Sequence, residues 1–282
     1  MKRILVPTDF SATAERAFRF ACLIAEKSNS TIILYHVYTP VKSSFIDVGT
    51  DKKEYNRQME ESLLVKMERL KKKVAGDRNI IISTVIGYAP IVDNILGFAE
   101  QNYIDLIVMG TQGATGIKKV IVGSVANKII DNTEIPLILI PEQYELKIPE
   151  TILYTTHIFN HDPQYLSIVI RLAEIFDAEL KIIHIYSESL GSSNYEEVLA
   201  EFEKYKSGIL CNSGYEKTEC RLIRTNDVGK ELETIHNIIP YDVMVMVKRK
   251  KTAIDKLLFK SFTKEMAYAT KLPLMIIHEQ QN

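Results

Sequence analysis

The sequence predicts two tandem α/β domains, each built on a doubly wound parallel sheet. Two observations predict this fold class. The chain of 282 residues contains an internal repeat, since "ILVPTDF" at 4–10 matches "ILYTTHI" at 152–158. Each copy also alternates short apolar runs with longer amphipathic stretches. That alternation is typical of five-stranded parallel sheets covered by helices on both faces.

The repeat also sets the predicted domain boundaries. Two further pairs of blocks match: "YIDLIVMG" at 103–110 with "PYDVMVMV" at 240–247, and "IPLILIPE" at 135–142 with "LPLMIIHE" at 272–279. We therefore expect domains at 1–142 and 151–282, joined by a short polar linker at 143–150. The last strands of both copies are strongly apolar, so we expect the two halves to pair these edges within one chain as a pseudo-symmetric dimer.

Each element of the first copy has a local signal. β-branched apolar runs predict five strands: Arg3–Pro7, Thr31–Val37, Ile80–Ile86, Leu106–Met109 and Leu137–Ile140. Ser11 is a suitable N-cap for a helix that continues to Lys27, and Asp162–Pro163 starts the equivalent helix of the second copy. A stripe at helical spacing predicts a buried helix face: Tyr55, Met59, Leu63, Met67, Leu70 and Val74.

Composition excludes several classes of protein. The net charge of −1 does not supply the basic field that a nucleic-acid-binding protein needs. No apolar run approaches the roughly 20 residues that span a bilayer, and the start "MKRILVPTDF" is too short and polar for a signal peptide. The three cysteines, Cys22, Cys211 and Cys220, form no disulfide framework. These features predict a cytoplasmic protein with no membrane partner.

A glycine-rich loop follows the fourth strand of the first copy. The run "GTQGATGIKKVIVGS" at 110–124 places four glycines between the strand and Ser124, which opens a predicted helix. Glycines let several backbone N–H groups converge on a phosphate, and a helix N-terminus adds the positive end of its dipole. Turn formation alone is the alternative interpretation of these glycines. The run is neither a P-loop nor a dinucleotide fingerprint after a first strand.

The spacing Gly110-x2-Gly113-x9-Gly123-Ser124 resembles the nucleotide-binding signature of the universal stress protein family. The opening "RILVPTDFS", the second strand "ILYHVY", the segment "GYAP" and the last strand "IPLILIP" also resemble that family. The resemblance implies a flavodoxin-like or Rossmann-like sheet and an ATP site in the first domain. By position it implies these site residues: Pro7, Thr8, Asp9 and Val37 around adenine and ribose, Met109 and Gly110 at the floor, and Gly113, Gly123, Ser124 and Val125 at the phosphates. Gln112 and Ala114 stand where the family often has a His and an Arg, which implies fewer phosphate contacts.

Two other interpretations stay open near the first strands. Asp9 lies beside Ser11 and has the alternative role of capping the first helix. In the second copy, "HIFNHD" at 157–162 contains His157 and His161, which raises the question of a metal site, although no third ligand has metal spacing.

The second copy lacks the features of the glycine loop. Val247, Lys250 and Lys260 replace its glycines, and His157 replaces Asp9. Side chains at such positions cost about 1–3 kcal/mol each where the backbone must be strained. The basic run at 247–251 is expected to be a solvated loop. We therefore expect one nucleotide per chain, in the first domain only.

Three classes of function remain after these observations. The first is a regulatory protein that binds ATP with Mg²⁺ and acts on an unknown protein partner, with room for further homodimerisation. The second is a slow ATP-hydrolysing or nucleotidyl-transferring enzyme, although no base and nucleophile pair is visible. The third is an interaction protein that works without nucleotide.

Overall fold

The computed structural model describes residues 1–40, 52–111, 123–156, 159, 162–188, 194–248, 266 and 270–279. The chain separates into two compact units, residues 1–142 and residues 143–282. The segment 143–150 groups with the second unit. Among the described helices, none combines the length and apolar character that crossing a bilayer requires.

The first unit alternates strands and helices along the chain. Its elements are β1 (Arg3–Pro7), α1 (Ala12–Ser28), β2 (Thr31–Tyr38), α2 (Lys52–Ala75), β3 (Ile82–Tyr88), α3 (Ile91–Gln101), β4 (Leu106–Gly110), α4 (Ser124–Asn132) and β5 (Leu137–Ile140). The parallel sheet has the strand order β3-β2-β1-β4-β5. This is the Rossmann-like order, which reverses between β1 and β4, and it confirms the predicted doubly wound fold.

The core of the first unit follows the predicted apolar pattern. All four residues of β5 are buried, as expected for a strand covered on both faces. Helix α1 starts where Ser11 Oγ accepts a hydrogen bond from the Ala14 N–H at 3.1 Å, which confirms the predicted cap. In α2, Met67 and Val74 are buried, whereas the other four residues of the predicted stripe are half-buried.

Strand β3 begins later than the sequence predicted. The run of isoleucines at 80–82 has the composition of a strand, but Ile81 is 71% exposed and only Ile82 enters the core. Pairing with β2 starts at Ile82 and continues to Tyr88, so the strand also ends two residues beyond the predicted Ile86. Composition alone did not show this, because the register is set by pairing with β2.

The second unit repeats the same architecture. Its elements are β6 (Thr151–Thr156), α5 (Asp162–Phe176), β7 (Glu179–Tyr186), α6 (Tyr195–Asn212), β8 (Thr218–Arg224), α7 (Val228–Ile238), β9 (Val243–Lys248) and β10 (Leu274–His278). The strand order β8-β7-β6-β9-β10 matches that of the first unit, and all pairs are parallel. Tyr154, at the centre of β6, is fully buried.

An aspartate holds the start of the first strand in each unit, and that of the second unit, Asp242, is buried. Asp242 Oδ2 accepts hydrogen bonds from the N–H groups of Glu150 at 2.8 Å and Thr151 at 2.9 Å, and its carboxylate pairs with Lys147. Asp105 accepts two corresponding bonds at the start of β1. Burial by itself raises the pKa of Asp242, but the bonds from Lys147 and the two N–H groups outweigh burial and lower that pKa.

Candidate functional site

The predicted site residues of the first unit lie at the carboxyl ends of its strands. Pro7 ends β1 and pairs with Tyr35 in β2, and Gly110 ends β4. The strand order reverses between β1 and β4, which is where α/β sheets bind ligands. Gly123 is joined to the end of β4, because its N–H donates to the Thr111 C=O at 2.6 Å. Gly113, Gly116, Gln112 and Ala114 lie outside the described residues.

The turn after β1 is held by its own side chains. Thr8 N–H donates to the Tyr35 C=O at 2.8 Å, and Phe10 N–H donates to Thr8 Oγ1 at 3.1 Å. Asp9 Oδ1 accepts from the Ser11 N–H at 2.9 Å, so the carboxylate does support the start of α1. The Asp9 side chain is nevertheless exposed, which leaves this loop accessible to a ligand.

Phe10 adopts a backbone conformation that bulky residues rarely have. Its φ is 65°, in the left-handed region. The ring lies 4.7 Å from the ring of His36, and Lys66 Nζ lies 4.1 Å from the Phe10 ring centroid. Strained residues of this kind cluster at functional sites, where packing over-determines them. The local sequence around Phe10 does not predict these contacts.

Val37 presents its backbone to the space beyond β1. The backbone groups of Tyr35 face β1, since Tyr35 C=O accepts from Thr8, and alternation in a strand turns Val37 to the same side. A longer β1 would bond Val37 through the Thr8 C=O and the Phe10 N–H. Within the described residues those two groups bond instead to His36 Nδ1 and to Thr8 Oγ1. The Val37 N–H and C=O therefore form an adjacent donor and acceptor at this edge.

Gly110 has a packing reason to lack a side chain. A Cβ built on it would lie 2.7 Å from Thr13 Cγ2 and 3.0 Å from the Thr13 carbonyl carbon. Thr13 belongs to the first turn of α1, so this glycine lets α1 approach the end of β4. The close approach of two elements thus accounts for one of the four glycines.

Helix α4 begins without a side-chain cap. Its N-cap is Gly123, which has no side chain to accept a hydrogen bond from the first turn. The first turn carries no acidic residue either, whereas Ser124 is exposed and Val125 is half-buried. Open N–H groups and the helix dipole make such a start suitable for an anion. Met109 is 6% exposed at the neighbouring end of β4.

The corresponding edge of the second unit carries a related aromatic contact. His184 is buried, and this burial lowers its pKa. Its Nδ1 lies 3.0 Å from the Thr156 carbonyl oxygen, and its ring lies 4.6 Å from that of Phe159. His157 and His161, like Lys250 and Lys260, lie outside the described residues. No group of three metal-binding side chains occurs among the residues that the structure describes.

Comparisons with known proteins agree with this architecture. The profile described as "Universal stress protein family" matches residues 1–141, which is half of the 282 residues. A universal stress protein of Methanocaldococcus jannaschii is 32% identical over 143 residues, which cover 49% of this chain and 81% of that protein. A second from the same organism is 28% identical over 153 residues, which cover 49% of this chain and 94% of that protein.

A solved structure matches the complete chain. The crystal structure of a universal stress protein from Archaeoglobus fulgidus superposes with a TM-score of 0.76 and covers 99% of this chain and 98% of that chain. Its sequence identity is 16%, so this similarity shows the shared fold. The family profile over the first half and the two archaeal relatives confirm the resemblance stated from the sequence. The chain belongs to the universal stress protein family.

Proposed function

We propose that the first unit binds ATP with Mg²⁺ at the carboxyl ends of β1, β2 and β4. The proposal depends on one observation about the described residues: the Val37 N–H and C=O have no partner in the segment after β1, and they lie at the same sheet edge as the start of α4, which has no side-chain cap. An adjacent N–H and C=O match the ring nitrogen and amino group on the Watson–Crick edge of adenine. A helix start with open N–H groups suits phosphate.

The remaining site residues take roles that follow from their positions. Pro7 and Met109 are buried apolar residues at the ends of β1 and β4, and they are suited to contact the base. Asp9 is the acceptor for the ribose hydroxyls, Thr8 lies beside it around the adenine and ribose, and Gly110 forms the floor with Met109. Gly113, Gly123, Ser124 and Val125 would provide backbone and hydroxyl donors to the phosphates, and Mg²⁺, when bound with ATP, would offset part of the phosphate charge.

We propose a regulatory role rather than rapid turnover. A protein partner would recognise whether the first unit has nucleotide bound. The second unit would have a structural role and would bind no nucleotide. The cysteines Cys22, Cys211 and Cys220 are not joined in disulfides, which suits a reducing compartment such as the cytoplasm. The pairing of the two last strands within one chain and a further homodimer stay predictions.

Titration of ATP into the full chain by calorimetry, with Mg²⁺ present, tests the proposal. We expect saturation at one nucleotide per chain. Gly113→Val should abolish binding because a side chain would block the phosphate loop. Lys250→Ala is the matched change at the corresponding position of the second copy, and it should leave affinity unchanged. Saturation at two nucleotides, or full affinity in Gly113→Val, would contradict the assignment.

A second measurement separates this proposal from its alternatives. Mass spectrometry of small molecules released from the denatured protein should detect an adenine nucleotide. Release of no nucleotide, together with no heat of binding, would favour an interaction protein that works without nucleotide. A steady release of phosphate from ATP would favour the slow ATPase instead.

A further inference from the structure

A histidine on β2 ends the pairing between β1 and β2 early. His36 Nδ1 lies 2.8 Å from the Thr8 carbonyl oxygen, and because a carbonyl only accepts, Nδ1 carries the proton and donates. The His36 ring also contacts Phe10, which has φ of 65°. We call His36, Thr8 and Phe10 the first histidine clasp. It joins the middle of the loop that contains Asp9 to the neighbouring strand.

The His36 ring N–H is bonded to the same carbonyl oxygen, that of Thr8, to which the Val37 N–H would donate if β1 continued. The last bond between β1 and β2 runs from Thr8 N–H to Tyr35 C=O. In a regular parallel ladder the next bond would run from Val37 N–H to the Thr8 C=O. Among the described residues that bond is not formed: the Thr8 C=O accepts from His36 Nδ1 instead, the chain turns after Thr8, and the Val37 N–H is left without a β1 acceptor. The first histidine clasp therefore keeps open the backbone donor that the proposed site uses.

The second unit contains the same contact without the binding residues. His184, Thr156 and Phe159 form a second histidine clasp, with 3.0 Å between Nδ1 and the carbonyl oxygen and 4.6 Å between ring centroids. The sequence places His157 where the first copy has Asp9. A contact that is retained where no nucleotide is expected supports the strand ends in both units. In the first unit we expect the same contact also to support the proposed ATP site.

We propose that His36 is a positioning residue for nucleotide binding. It acts through Thr8, by holding the Thr8 C=O away from the Val37 N–H and by fixing the turn that carries Asp9. This inference rests on the proposed ATP site. Loss of the donor lets Thr8 bond to Val37 and extends β1 over the edge where adenine would bind.

Three variants of the full chain test this inference by ATP calorimetry. His36→Leu removes the donor and should weaken ATP binding about tenfold. A loss of that size is expected when one hydrogen bond to the ligand is lost. His36→Asn places an amide N–H near the position of Nδ1, so its affinity should stay within about threefold of the original protein. His184→Leu makes the matched change in the second histidine clasp; its melting temperature should fall while ATP affinity is unchanged.

Amide hydrogen exchange provides a readout that does not need nucleotide. In the free protein the Val37 amide should exchange quickly, and in His36→Leu it should exchange about tenfold more slowly because it gains the Thr8 acceptor. Unchanged exchange at Val37 would overturn the inference even if ATP does not bind. Equal losses of affinity in His36→Asn and His36→Leu, or a loss in His184→Leu, would also overturn it. Failure of the original protein to bind ATP would refute only the proposed function.

Discussion

Replacing Gly110 by alanine tests the packing of α1 against the end of β4. The new Cβ would lie 2.7 Å from Thr13 Cγ2 and 3.0 Å from the Thr13 carbonyl carbon. Carbon atoms in contact prefer separations of about 3.5–4.0 Å, so the two elements must separate by up to about 1 Å. Thr13 is 5% exposed, so its side chain cannot move out of the way without a shift of α1 or its neighbours. We expect the free energy of unfolding to fall by about 1–3 kcal/mol, as for other overpacked cores.

Urea unfolding followed by circular dichroism measures this loss. The midpoint should fall without a change in slope, because the folded state stays compact. In Thr13→Ser the Cγ2 atom is absent while the backbone contact stays, so the double variant should recover part of the loss.

Gly97→Ala is the matched control: Gly97 lies inside α3 with no atom within 4 Å of its added Cβ. That change should stabilise the protein by about 0.5–1 kcal/mol. If Gly110→Ala were no more destabilising than Gly97→Ala, the explanation of Gly110 by helix packing would be wrong.

Three further changes have defined outcomes. Gly87→Ala should destabilise the first unit, because its Cβ would clash with the Tyr35 hydroxyl; urea titration should show that Tyr35→Phe relieves part of this loss. The pKa of Asp242 is lower in the folded state than its unfolded-state pKa near 3.8, so the ionised carboxylate stabilises the fold. This stabilisation is complete above the unfolded-state pKa and is lost as pH falls through the lower folded-state pKa. Asp242→Asn should therefore lose less stability than the original protein between pH 7 and pH 3 in the same assay. Ser11→Ala should cost about 1 kcal/mol through loss of the α1 cap, and an equal cost is expected for Asn194→Ala at the cap of α6; a melting temperature unchanged in Ser11→Ala would contradict the cap.

Local signals were enough to predict the elements of the sheet. Strand β5 is apolar at every position and buried at every position, so composition and structure agree. The cap at Ser11 depends only on its own hydroxyl and on an N–H three residues later. Such a local contact can be predicted from the sequence alone. Strand β3 was placed two residues early because the exposed Ile81 and the buried Ile82 have identical side chains. Only pairing with β2 distinguishes them.

The candidate site was predictable as a location but not as a set of contacts. The repeat and the glycine loop predicted residues whose described members lie at one sheet edge, since the ends of parallel strands meet there. The reason for Gly110 lies in Thr13, which is distant in sequence and reached only through the fold. The contact of His36 is likewise with the carbonyl oxygen of Thr8, a residue 28 positions earlier that follows β1. A signal was nevertheless present: a histidine recurs at the matching place in "ILYHVY" and "KIIHIY".

The anchoring of residues 143–150 has a consequence for proteolysis. Connections between domains are usually the first places that proteases cut, because their backbone must leave its hydrogen bonds to enter the protease. Here Tyr144 is 3% exposed and its hydroxyl donates to the Lys147 carbonyl oxygen at 3.1 Å. Lys147 itself pairs with Asp242. Trypsin should therefore cleave slowly after Lys147, and faster in Asp242→Asn. The rate of cleavage at this bond would then measure how often the segment 143–150 opens.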